Sequence, residues 1–163
     1  MSKSNLPDDE LKMLDRLAQF SIVYLTVVAL ASFLAGAYVL KLPALTTLLA
    51  PLLIGFSGSA IAALTSCLDR YAIGFERENG DPFPEKAMGG KFNRRFSRWL
   101  FIRPFLGAVV APVFIWGISH FTKNPQEFLS SVETLGFTAF MAGLLAKSVL
   151  DLIKNLFKNV FHT

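Results

Sequence analysis

The sequence predicts an all-α integral membrane protein: four transmembrane helices, both termini on the cytoplasmic side, and amphipathic helical segments facing the cytoplasm. Three observations predict it. Of 163 residues, 53% are hydrophobic and 17% charged, against roughly 45–50% and about 25% in soluble domains. The charges are clumped, leaving stretches bare enough to cross a bilayer. Lysine and arginine collect in three segments that alternate with those stretches.

The chain divides as a single membrane domain. Residues 1–16 carry Asp8, Asp9, Glu10 and Asp15, and the apolar run after them is longer than a secretory signal core, so the start is read as mature protein. Spans one and two cover about residues 20–41 and 43–68, both uncharged apart from Lys41. The short Lys41-Leu42-Pro43 turn makes them a tight antiparallel hairpin, with Pro43 in the first turn of span two, where a missing N–H costs little. Span three covers about 100–120, with a start left open between Trp99 and Pro104 because Arg103 and Pro104 interrupt the apolar run. Span four covers about 130–150. Only 13 uncharged residues separate Glu133 from Lys147, so it must extend back through Phe128 and Leu129 and forward through Leu150. Glu133 and Lys147 then reach opposite interfaces by snorkelling. The alternative for 128–160 is an amphipathic helix lying on the membrane.

Orientation follows from the positive-inside rule. Lys3, Lys12 and Arg16 precede span one; Arg70, Arg77, Lys86, Lys91, Arg94, Arg95, Arg98 and Arg103 lie between spans two and three; Lys147, Lys154 and Lys158 end the chain. These are 14 of the 16 basic residues, and only Lys41 and Lys123 fall on the other side. The bias supports four crossings and an N-in, C-in topology together.

The loop of residues 69–99 opens with DRYAIGFEREN, read as continuing span two, and is then broken by GDPFP and MGG. Phe92, Phe96 and Trp99 recur on one helical face, with Arg94, Arg95 and Arg98 on the other. This suits a helix lying in the headgroup layer, aromatic side down. Lys91, Arg94, Arg95 and Arg98 are the candidate surface for a cytoplasmic protein partner, an acidic lipid, or a nucleotide or oligonucleotide. The tail, 147–161, repeats the amphipathic pattern.

Within the spans, Gly55, Ser59 and Ala63 stand four apart, as do Gly58 and Ala62; Gly107 in span three and Gly143 in span four complete the small-residue positions. Such spacing lets helix backbones approach closely, either inside one bundle or against a second copy around a pore. Asp69, Arg70, Arg103, Lys147 and Asp151 gather near the cytoplasmic ends, where Asp69 with Arg103, or Asp151 with Arg70, are reasonable pairs. Lone Cys67 packs in an apolar run.

Enzyme motifs are set aside. Gly55-Phe56-Ser57-Gly58 matches the GxSG element of rhomboid proteases, but His120 and His162 are placed for neither proton transfer nor metal binding. No cofactor or metal is expected.

GFSGSAIAALTSCLDRY, RPFLGAVVAPVFIW and GFTAFMAGLLAKSVLDLIKNLF resemble segments of small bacterial membrane proteins, notably Arg103-Pro104 with Gly107 one turn on. The plan is also similar to small multi-spanning effectors of anti-phage defence. The resemblance implies the bacterial inner membrane, homo-oligomers, and a channel or pore gated or recruited through the basic surface by a partner protein or nucleotide signal. The alternative is a non-conducting scaffold or anchor that binds a cytoplasmic partner.

Overall fold

The computed structural model describes residues 7–42, 48–75, 90–122 and 125–151. Pro43, Arg77, Lys86, Lys123 and the tail beyond Asp151 lie outside them. The described residues are almost entirely helical, in the order α1 (Asp8–Val39), α2 (Leu49–Ile73), α3 (Arg94–Phe121), α4 (Pro125–Ser130) and α5 (Val132–Leu144). A turn at Leu145 separates α5 from a further helical stretch at 146–151. Three helices, α1, α2 and α3, are long and apolar enough to cross a membrane; α5 is apolar but shorter.

Each long helix outruns its hydrophobic stretch. α1 has 32 residues, about 48 Å at about 1.5 Å per residue, against a hydrocarbon layer of about 30 Å. Its first turns hold Asp8, Asp9 and Glu10, which suit the positive end of the helix dipole. Tyr71, near the end of α2, donates a 2.8 Å hydrogen bond to Asp15 and fastens this extension. α2 stops at Ile73 because Gly74 takes a positive φ of 113°, a conformation that L side chains rarely adopt. Phe75 then forms an isolated bridge with Phe92, and the Phe92 N–H donates to the Gly74 carbonyl at 2.8 Å. The connection between α2 and α3 is therefore closed at its base.

α3 corrects the expectation of a separate helix in the headgroup layer. Asn93 caps it, its side chain accepting from the Phe96 N–H at 2.8 Å. From there the helix runs unbroken through Arg103, Pro104 and Pro112. The aromatic side faces protein: Phe92 and Phe96 are 0% and 3% exposed and pack with Ala18, Leu25, Ala63, Cys67 and Leu100. Hydrophobic periodicity marks a face to be buried but does not say by what. The backward extension of span four also ends early, because Ser131 caps α5 and separates it from α4.

α2 is the central element, touching α1, α3 and α5. The pairings fix an alternating bundle. Gly36 of α1 meets Ile54 of α2, while Asp15 meets Tyr71. Gly107 of α3 lies against Gly55 and Ser59, and Arg103 reaches Ser66. Gly136 of α5 approaches Leu40 and Ile54, and Ala146 and Lys147 share a cavity with Ser59. Thus α1 and α3 run one way, and α2 and α5 the other.

Candidate functional site

The small residues of α2 are spent inside the chain. Gly55, Gly58, Ser59, Ala62 and Ala63 are all buried, as are Gly107 and Gly143. A β-carbon at Gly55 would strike the Ala111 side chain and lie 2.7 Å from the Gly107 carbonyl oxygen. One at Gly58 would strike the Phe140 carbonyl, and one at Gly143 the Gly55 carbonyl. Only glycine lets these backbones touch. Hydroxyls tie the same contacts together: Ser57 donates to the Ala29 carbonyl at 2.9 Å and Ser59 to the Arg103 carbonyl at 2.8 Å. Ser57, the serine of the GxSG-like segment, is thus a structural donor between α2 and α1. Ser21 and Ser97 meet at 3.4 Å between α1 and α3.

The lateral surfaces are apolar. Every exposed residue from Phe20 to Tyr38 on α1 is aliphatic or aromatic. Between Ile102 and Trp116 of α3 the exposed positions are Ile102, Phe105, Val109, Val113 and Trp116, a single stripe at spacings of three and four.

The basic surface sits where α1 begins and α3 starts. Arg94 and Arg98 are exposed, whereas Lys91 and Arg95 are half-buried. One guanidinium nitrogen of Arg94 lies 3.1 Å from the Met13 sulfur. Of these four basic residues, Arg94 and Arg98 are the ones that face outward.

The structure divides the five interfacial charges. Asp69 is exposed. Arg70 is buried with its guanidinium 3.9 Å from the centroid of the Phe96 ring, a cation–π contact that the sequence spacing did not suggest. Arg103, Lys147 and Asp151 come together around a cavity of about 140 Å³, also lined by Ser59, Trp99, Leu106, Ala146 and Leu150. In place of the expected Asp69 contact, Arg103 donates to Ser66 at 2.8 Å. Its backbone lies within the apolar belt, since neighbouring Phe101 packs on Phe20 and Tyr24 of α1 with ring centroids 6.1 and 4.8 Å apart. Its carbonyl meets Ser59 while its guanidinium meets Ser66, so the side chain runs about two turns toward the Ile73 end of α2. Among the described residues, no three His, Cys, Asp or Glu side chains gather as metal ligands do.

No family model, curated protein or solved structure matches the chain.

Proposed function

We propose that the chain is a four-span protein of the bacterial inner membrane, with both termini cytoplasmic, and that it acts as a non-conducting anchor whose basic end docks a cytoplasmic partner. Support for the fourth crossing comes from length and direction. Residues 132–151 are helical apart from the turn at Leu145, and 20 residues at about 1.5 Å each cover about 30 Å. α5 runs parallel to α2, as a fourth crossing must. The basic residues, 14 on one side and two on the other, support the orientation.

One observation carries the anchor reading. Gly55, Ser57, Gly58, Ser59, Ala62 and Ala63 of α2 are buried within the chain, and from Phe20 to Tyr38 of α1 and Ile102 to Trp116 of α3 the exposed side chains are aliphatic or aromatic, which leaves no polar stripe on those two faces to line a shared conduit. The exposed guanidinium groups of Arg94 and Arg98 suit an acidic partner, attracted by charge and sensitive to salt. The oligomeric pore of an anti-phage effector is the second reading, favoured by the charged residues Arg103, Lys147 and Asp151 around one cavity. Proteoliposomes separate the two. The anchor predicts no ion leak above protein-free vesicles. It also predicts salt-sensitive binding of polyglutamate, an acidic stand-in, that is lost when Arg94, Arg95 and Arg98 are all replaced by Gln. Unitary conductance steps would overturn it.

A further inference from the structure

The cavity between α3 and the stretch at 146–151 takes no part in docking at Arg94 and Arg98. We propose that it binds the phosphodiester headgroup of an anionic membrane lipid in the cytoplasmic leaflet, with Arg103 and Lys147 facing the phosphate; the proposal rests on the membrane reading above.

The size, lining, charge and depth of the cavity agree on this ligand class. Its volume of about 140 Å³ is close to the roughly 150 Å³ cavity that takes up a benzene-sized molecule. The lining is mixed: Arg103, Lys147 and Asp151 supply charge, while Trp99, Leu106 and Leu150 supply apolar surface. An amphiphile needs both, polar groups for its head and apolar groups where its chains begin. Among the described lining residues two are cations and one is a carboxylate, an excess of positive charge that suits an anionic headgroup. Arg103 enters from within the apolar belt and turns back toward the cytoplasmic end, and Trp99 stands about one turn nearer that end, where indoles favour the interface. Ser66 and Ser59 hold the side chain and the backbone of Arg103, so the cationic wall is pre-positioned. A soluble phosphodiester offers the same anionic chemistry but has no chains to cover Leu106 and Leu150.

The test uses the full chain in phosphatidylcholine nanodiscs containing a minor fraction of phosphatidylglycerol, with retained lipid read by native mass spectrometry. The expected result is one retained phosphatidylglycerol per chain. Lys147→Gln should weaken retention about tenfold, the loss of one charge-assisted hydrogen bond. Asp151→Asn should strengthen it, because an opposing charge is removed. Misfolding cannot produce these opposite signs, and neither variant alters the Arg103 contacts with Ser59 and Ser66. Retention that is unchanged in both variants, or reduced in both, would overturn the proposal. Glycerophosphoglycerol, the same diester without acyl chains, is expected not to displace the lipid; displacement at equal potency would assign the cavity to a soluble phosphodiester and overturn the lipid assignment. A chain that fractionates as soluble protein defeats the membrane reading itself, whereas an integral chain with unaltered retention defeats this proposal alone.

Discussion

Gly143 gives the sharpest test of how the helices meet. A β-carbon there would run into the carbonyl oxygen of Gly55 and lie 2.6 Å from its carbonyl carbon and 2.7 Å from its Cα. All three obstacles are backbone, so no rotamer change relieves the contact and α5 must move away from α2. Overpacking of this kind costs about 1–3 kcal/mol, and rigid backbone places it in the upper half of that range. Alanine returns up to about 1 kcal/mol of helix propensity. Gly143→Ala should therefore lose about 1–2 kcal/mol. Gly117 on α3 is the internal control, because a β-carbon there meets nothing within 4 Å. Gly117→Ala should gain about 0.5–1 kcal/mol. Both variants can be measured by equilibrium unfolding in mixed micelles titrated with SDS, followed by circular dichroism. If Gly143→Ala equals or exceeds the parent in stability, the direct backbone contact between α2 and α5 is wrong.

Further predictions concern the α3 cap and the two faces of α3. Asn93→Ala removes the side-chain acceptor for the Phe96 N–H and should cost about 1 kcal/mol, with faster amide exchange confined to the first turn of α3. Val109→Ala and Val113→Ala, at exposed positions, should each stay within about 0.5 kcal/mol of the parent in the same titration. Ala111→Leu, at a fully buried position against Gly55, should lose more than about 1 kcal/mol. Equal effects at 109 and 111 would mean that the assigned lipid-facing stripe is wrong.

The apolar stretches of α1, α2 and α3, long enough to cross a membrane, were legible because long uncharged runs have few other uses. Their ends were not, because hydropathy reports only the part of a helix that lies in lipid. α1 continues into a polar extension held by acidic residues in its first turn and by Tyr71 on Asp15. The aromatic face at Phe92, Phe96 and Trp99 was visible in the spacing. That it turns toward α1 and α2 was not, since lipid and protein both bury aromatic rings. Small residues on α2 announced close approach, but only the fold names Gly107 and Gly143 as the partners of Gly55. Among the charges, sequence proximity to the interface grouped five residues, and helix rotation separated them. Asp69 faces outward, Arg70 turns to Phe96, and Arg103, Lys147 and Asp151 meet at one cavity. Two helix caps, Asn93 and Ser131, were readable signals that would have placed the starts of α3 and α5.

A four-crossing topology with one basic cytoplasmic face is tested most directly by cysteine accessibility. In a Cys67→Ala background, Lys12→Cys, Lys41→Cys, Arg94→Cys, Lys123→Cys and Asn155→Cys are probed one at a time in intact spheroplasts with a membrane-impermeant thiol reagent. Positions 41 and 123 are expected to label from outside, and 12, 94 and 155 only after the membrane is opened. Labelling of position 155 from outside while position 12 stays protected would mean three crossings, and would contradict that topology.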